Sequence, residues 1–330
     1  MSSDTPGNMR PLDIARDLEG LGNLIEIAFS RELSRRGTDI REELNSVKRL
    51  IPIIKALGRI SDGFRHLVDG FVWEDDGRIV GSVMVQRMGN DKTRWYIAAV
   101  AVHPSYRRRG IARRLLNAAI EHAHMHGAHT CILDVRVDNA PAYELYRSLG
   151  FVHYDSTSEF KLETLPDGPF SRFPPAYTLR PWRIGEWKVS YRLALAETPK
   201  QVQGFLPIRE EEYLITPLQR VAMPIISRLQ GLSTHRFVVE RDGNSVAALR
   251  LLAQKRERGT HELRMWFIPE YRSALAEPLL AHAMQVLHAF PRRNVIATIR
   301  SDFDDLTELL RSFGFVEIEQ IHKLGLKLRN

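Results

Sequence analysis

Between residues 18 and 34 the apolar side chains Leu18, Leu21, Leu24, Ile25, Ala28 and Phe29 recur at three- and four-residue spacing, which predicts an amphipathic helix. Residues 40–60 read as a second helical stretch, interrupted at Pro52, where the missing N–H breaks the ladder. Apolar runs at 68–74 and 78–86 flank Asp75-Asp76-Gly77, the signature of a hairpin. The segment WYIAAVAV (95–102) is apolar throughout and predicts a buried strand. A helix over 110–126 follows, with Leu115, Leu116, Ala119, Ile120 and Ala123 on one face and Gly127 placed to end it. CILDVRV (131–137) is another buried strand, 140–149 a helix and 151–162 a last strand. With a short strand near Arg10-Pro11, the order is β-α-α-β-β-β-α-β-α-β. The fold class is therefore α/β, more closely an α+β mixed sheet flanked by helices.

The pattern occurs twice. LYRSLGF (145–151) returns as LLRSFGF (309–315), and Asp76-Gly77 returns as Asp242-Gly243 within similar apolar flanks. Pro52-Ile53-Ile54 returns as Pro224-Ile225-Ile226, and Arg10-Pro11 as Arg180-Pro181. Four matches in one order at nearly constant offset indicate duplication. LPDGPFSRFPPAY (165–177) carries four prolines, a linker composition. The expected domains are 1–163 and 178–330, joined by a linker at 164–177.

Composition narrows the class without choosing a function. The chain has 330 residues, 44% hydrophobic and 26% charged, and a single cysteine, Cys131. Two cores fit that length, and collagen-like, disulfide-scaffold and disordered classes are excluded. One cysteine cannot form an internal disulfide, and no four-ligand Cys/His zinc pattern is possible around it. Without an apolar run of spanning length or a signal-like start, the expectation is a cytoplasmic protein that does not enter the membrane. The net charge of +7 comes mostly from arginine: nine of the 47 basic residues are Lys and 38 are Arg. Arginine forks suit phosphates and carboxylates, which leaves nucleic acid, an anionic ligand or a phosphorylated cosubstrate open. HAHMHGAH (122–129) puts His122 and His126 on one helix face, but no third metal ligand stands at a fixed spacing, so no metal is expected.

The chemistry concentrates in AVAVHPSYRRRGIARRLLNAA (99–119), where a buried strand runs through an Arg/Gly turn into a helix. The first N–H groups of a helix lack intrahelical partners and its dipole favours negative charge there. Gly110 admits a phosphate close to the backbone, and Arg107, Arg108, Arg109 and Arg113 add charge. Three consecutive arginines also suit a plain solvated turn.

Wider context favours the anion site, because the residues resemble the GNAT superfamily of acyl-CoA-dependent N-acyltransferases. Its acetyl-CoA signature, Arg/Gln-x-x-Gly-x-Gly/Ala after Val-x-Pro, is matched by Val102-His103-Pro104 and Arg107-x-x-Gly110-x-Ala112. Its second motif is matched by Leu133, Val135, Asn139, Ala142, Leu145, Tyr146, Gly150 and Phe151. The resemblance covers about residues 10–162 and implies an N-acetyltransferase with acetyl-CoA as cosubstrate. It implies that the amides of 108–113, including Ile111 and Ala112, bind the pyrophosphate, and that the backbone of Val100 and Val102 pairs with the pantetheine arm. A backbone N–H near Val100 to Val102 would stabilise the oxyanion. Asn139 would hold the pantetheine or a bridging water, and Tyr146 would be the general acid for the leaving thiolate. The acceptor would be a small-molecule or peptide amine, attacked directly without a covalent enzyme intermediate.

Two departures matter. Where many relatives carry a Glu on the strand entering the loop, this chain has Ala98 and Ala99, so the general base is unassigned. Asp134, expected on a buried strand where a structural role is the alternative, is next in order, then Glu144 and His153, while a neutral amine or a water chain would need no base. The second copy lacks the glycine turn, with Pro278 where a helix could begin, and has Phe303 at the Asn139 position and Leu310 at the Tyr146 position. It is expected to be a degenerate copy without acyl-CoA. The rival readings are a CoA-binding sensor or scaffold, an acetyltransferase of protein N-termini or lysines, and a nucleic-acid binder. No nucleic-acid partner is expected, and the assembly is expected to be a monomer, as an intrachain pseudo-dimer, or a homodimer.

Overall fold

The computed structural model describes residues 7–30, 69–88, 91–168, 171–214, 227, 231–256 and 259–328. The expected helix at 40–60, the stretch 31–68 and the Pro52 and Pro224 tracts lie outside the described residues. The chain divides into two compact units, Met1–His153 with Lys323–Asn330, and Tyr154–His322.

The first unit contains β1 (Asn8–Pro11), α1 (Ile14–Ala28), β2 (Asp69–Asp75), β3 (Arg78–Met88), β4 (Asp91–Val102), α2 (Ile111–Met125), β5 (Thr130–Arg136) and α3 (Ala140–Ser148). Its strands run in the order β1-β2-β3-β4-β5, antiparallel except for the parallel β4–β5 pair. The hairpin turn needs positive φ at both central positions, and Asp76 and Gly77 supply it at 47° and 73°. The face of α2 predicted from periodicity is the one that packs: Leu115, Leu116, Ala119 and Ala123 are fully buried against Val83, Val85, Trp95, Ile97 and Leu133.

The strand β6 (Val152–Leu162) follows α3, and the chain ends with β12 (Val316–Lys327). Almost all of β6 belongs to the second unit, where it pairs antiparallel with β11 (Val295–Arg300). Residues 323–327, the end of β12, belong to the first unit, where Leu324 joins the core and the Leu328 N–H donates to the His129 carbonyl at 2.9 Å. The repeat boundary expected near 163 is therefore not the boundary of the compact units. Two copies of one fold offer equivalent sheet edges, so a closing strand from either half fits the other at little cost.

The second unit repeats the order with β7 (Thr178–Pro181), α4 (Trp187–Glu197), β8 (Leu232–Arg241), β9 (Asn244–Gln254), β10 (His261–Phe267), α5 (Arg272–Leu287), β11 and α6 (Asp304–Ser312). Its strands run β7-β8-β9-β10-β11-β6, followed by the first part of β12.

The duplication extends to an ion-pair clamp on the equivalent strands β1 and β7. Arg10 bonds Asp17 at 2.7 Å and Glu74 at 2.5 Å; Arg180 bonds Glu186 at 2.7 Å and Glu240 at 2.6 Å. Asp17 is nearly fully buried, and the Arg10 guanidinium holds its carboxyl below the ordinary aspartate value. A carboxyl whose folded pKa is depressed adds stability above its unfolded pKa, about 3.9, and loses it as pH falls through the folded value. Replacing Arg10 by Ala leaves a buried carboxylate unpartnered and should cost about 2–4 kcal/mol at neutral pH. The cost should shrink as pH drops below about 4, a trend that urea unfolding of both chains at several pH values would measure.

Candidate functional site

The site begins with an irregularity in β4. Ser82 pairs with Ala101 but Met84 with Ala98, so β4 carries one residue more than β3 across this interval. This is a β-bulge, centred on Ala99 at φ 47°, a conformation costly for a residue with a Cβ. The Ser82 hydroxyl donates to the Ala99 carbonyl at 3.0 Å and fixes it. On its other side β4 pairs with β5 only from Arg94↔Thr130 to Ile97↔Leu133. Beyond Ile97 the two strands part, and Ala98 to Val102 have no strand partner on that edge among the described residues. An extended ligand can add there as a short strand, at the positions expected of Val100 and Val102.

A turn of 3-10 helix, Pro104–Tyr106, leads from β4 to the anion turn. The Tyr106 hydroxyl donates to Asp75 at 2.7 Å and the Arg109 guanidinium lies 4.9 Å from the Tyr106 ring, tying the turn to the hairpin. Arg108 and Gly110 both adopt the left-handed conformation, φ 63° and 77°, and Gly110 is the N-cap of α2. A Cβ added at Gly110 would meet nothing within 4 Å, so the glycine is needed for its backbone conformation and for what approaches it, not for internal packing. Arg107, Arg108, Arg109 and Arg113 are all exposed around it. Arg107 donates to the Val102 carbonyl at 3.2 Å and Arg113 to the Ser148 hydroxyl at 2.7 Å. The Ile111 side chain is buried in the core, which leaves only its backbone N–H for a ligand.

Asn139 is the N-cap of α3, its side chain accepting from the Ala142 N–H at 3.3 Å, so it orders the helix that carries Tyr146. The Tyr146 ring is 6% exposed and packs edge-on to Phe151; its hydroxyl makes no hydrogen bond among the described residues. Burial pushes the Tyr146 phenol up to about 12, so it stays protonated across the working pH range. Asp134 differs from expectation. It is exposed, because β5 turns Cys131, Leu133 and Val135 toward the core of α2 and Asp134 the opposite way.

The sequence reading missed Tyr96. Its hydroxyl donates to Asp134 Oδ2 at 3.3 Å, and burial with the adjacent Asp134 charge raises its pKa further, Tyr146 adding a smaller effect. Two phenols and a carboxylate thus gather where β4 and β5 part. The available signal was Asp134 itself, a charge within an apolar strand.

The remaining clusters do other work. His122 Nε2 lies 3.0 Å from Asp69 and its ring centroid 4.3 Å from that of His126, against Trp95. Among the described residues no three His, Cys, Asp or Glu gather as a metal site. Cys131 is fully buried and its thiol is pushed up to about 12, unsuited to act as a nucleophile.

In the second unit each device is altered. β10 pairs with β9 without a register shift, so there is no bulge. The turn at Pro269–Tyr271 passes directly into α5 at Arg272, with no left-handed residue between. Pro278 lies inside that helix rather than at its start, because no glycine turn interrupts the chain before it. Phe303 occupies the N-cap position of α6 without a side-chain cap, and Leu310 is fully buried. Arg272 stacks 4.0 Å from the Phe303 ring and bonds Asp305 at 2.7 Å.

A bulged, parted strand edge thus stands beside a glycine turn at a helix N-terminus, an arrangement that can take an extended ligand ending in an anion. Residues 39–151 match the model of the acetyltransferase (GNAT) family. N-alpha-acetyltransferase 30 of Schizosaccharomyces pombe is 36% identical over 86 residues, 26% of this chain and 57% of that protein. The chain thus covers little more than half the length of this curated relative. A GCN5-related N-acetyltransferase from Sphaerobacter thermophilus superposes with a TM-score of 0.66 at 15% identity, over 98% of this chain and 96% of the other. A tandem GNAT protein from the clavulanic acid biosynthesis pathway superposes at 0.63 and 18% identity, over 97% and 98%. These two likenesses extend the fold to both halves. Among the described residues no helix is long and apolar enough to cross a membrane.

Proposed function

We propose that the first unit transfers the acetyl group of acetyl-CoA to a primary amine. The observation that carries this reading is the bulged edge Ala98–Val102 leading to the left-handed Gly110 turn, with a buried Tyr146 whose hydroxyl makes no hydrogen bond among the described residues. The pyrophosphate sits on the amides of 108–113, the pantetheine lies along Val100 and Val102, and Asn139 holds the arm through its amide nitrogen. The amine nitrogen attacks the thioester carbonyl, the N–C bond forms, the C–S bond breaks, and Tyr146 donates to the departing sulfur. A backbone N–H of the bulge carries the oxyanion. The second unit, with no bulge between β9 and β10, no glycine turn before α5 and Leu310 in place of the phenol, binds no acyl-CoA. Acetyl-CoA-dependent release of free thiol against a panel of amines tests the reading; binding without turnover on any amine would favour a sensor instead.

A second reading concerns the acceptor. The N-alpha-acetyltransferase relative favours a peptide N-terminus over a small amine, and peptides belong in the same panel.

Asp134 is the candidate base, held by Tyr96. Asp134→Asn should lower kcat/KM for the amine at least tenfold at pH 7 and leave the Kd of acetyl-CoA unchanged. The deficit should narrow as pH approaches the amine's own pKa, where no base is needed. A deficit constant with pH would assign Asp134 to orienting the amine instead.

A further inference from the structure

The second unit has a row of charge that the first lacks. Arg236 on β8 is the register partner of Arg250 on β9, and Arg250 is the register partner of Arg264 on β10. Partners in register project from one face, so three guanidinium groups stand side by side across three strands, a span of about 10 Å. The face is the one covered further along by α4: Val238, Ala248 and Trp266, two residues beyond each arginine, belong to the apolar cluster of Val189 and Leu193.

The row has no direct ion-pair partner among the described residues, although Glu262 and Glu197 act on it through space. None of the three arginines forms an ion pair or a side-chain hydrogen bond there, and Arg250 is held below the ordinary arginine value by burial and by its two like-charged neighbours. Glu262 on β10 and Glu197 at the end of α4 act on Arg250 and Arg264 only at longer range. Like charges placed directly opposite across strands destabilise a sheet, so this arrangement has a cost in the free protein.

What the arginines do contact is aromatic. Arg264 and Arg250 lie 5.1 and 5.8 Å from the Trp266 ring, and Arg236 lies 5.8 Å from Trp182. Stacking engages the face of a guanidinium and leaves its in-plane N–H forks to meet an anion. The corresponding row of the first unit, in the register aligned by the two Asp-Gly turns, is Gly70–Met84–Ala98, which is uncharged and ends at the bulge. The second copy thus has an arginine row at the place where the first has an uncharged row ending at its bulge.

We infer that the second unit binds a chain of linked phosphates across Arg236, Arg250 and Arg264. The forks take phosphate oxygens along the chain, and the indoles of Trp182 and Trp266 hold the forks in place. A linear polyanion matches a linear row better than a single compact anion does. Free polyphosphate and the phosphate chain of a nucleotide share this chemistry.

The test is calorimetric titration of the full chain with inorganic tripolyphosphate, in the presence of saturating CoA to occupy the first unit. Binding should survive CoA, and should weaken at least tenfold in Arg250→Met and in the double replacement Arg236→Ser with Arg264→Ser. Because Arg250 carries the repulsion, Arg250→Met should melt higher than the wild type without ligand, while tripolyphosphate raises only the wild-type Tm. ATP bound more tightly than tripolyphosphate would identify a nucleotide as the source, and the reverse a free polyphosphate. Citrate bound as tightly as either would overturn the phosphate-chain assignment. Binding removed by CoA, or indifferent to the arginine replacements, would overturn the site itself, as would a lower ligand-free Tm for Arg250→Met.

Discussion

Gly110→Glu should abolish acetyl-CoA binding while leaving the first unit folded. Gly110 caps α2 at φ 77°, where a residue with a Cβ is strained by about 1–2 kcal/mol. That cost lowers the melting temperature by a few degrees but does not unfold a domain of this size. The side chain itself has room, since its Cβ would meet nothing within 4 Å. It would instead bring a carboxylate to the amides of 108–113 and into reach of a bound pyrophosphate. Two like charges about 4 Å apart repel by about 4 kcal/mol at an effective dielectric near 20, roughly a thousandfold in Kd. Gly110→Ala separates the two effects. It carries the same backbone strain without the charge, and should keep acetyl-CoA affinity within about tenfold of the wild type, consistent with strain of that size. Calorimetric titration of both variants decides the matter: normal binding by Gly110→Glu would remove the pyrophosphate from this turn.

Much of the first unit was legible because its signals are local. The α2 face is a period of 3.6, the hairpin is Asp76-Gly77, and the turn is read from Gly110 following an apolar strand. The parts that were not legible depend on pairing. Asp134 stands in an apolar strand, and only the orientation of β5 decides that it faces away from the core. Tyr96 looks like one more apolar residue of WYIAAVAV until β4 is set beside β5. The bulge at Ala99 exists only as a mismatch of counts between β3 and β4, and an alanine gives no warning of positive φ. The exchange of β6 and the end of β12 between the units was equally hidden, since the repeated LYRSLGF and LLRSFGF segments precede strands of similar pattern. The arginine row shows the same limit. Arg236, Arg250 and Arg264 stand 14 residues apart in sequence, and only the register of β8, β9 and β10 makes them neighbours.

Tyr146→Phe should lower kcat by about a hundredfold and leave the Kd of acetyl-CoA nearly unchanged. The phenol is buried, its hydroxyl makes no internal hydrogen bond among the described residues, and its pKa is pushed up to about 12. Such a group is a hydrogen-bond donor at every pH the enzyme meets and a poor source of a fully transferred proton, because a thiolate, with a pKa near 8.5, is the weaker base. Its contribution is therefore to stabilise charge developing on the sulfur, at the lower end of the 10²–10⁴ that acid–base groups provide. That interaction is absent in the ground state, where the thioester sulfur carries no charge, so binding is spared and turnover is not. A donor that stays protonated up to pH 12 gives kcat no alkaline limb of its own. Any fall observed between pH 8 and 10 must then come from another group, and should persist in Tyr146→Phe. A Tyr146→Phe chain that loses affinity and turnover equally would show the ring and hydroxyl acting in cofactor binding alone. An alkaline limb that vanishes with the hydroxyl would show that Tyr146 titrates in the reaction.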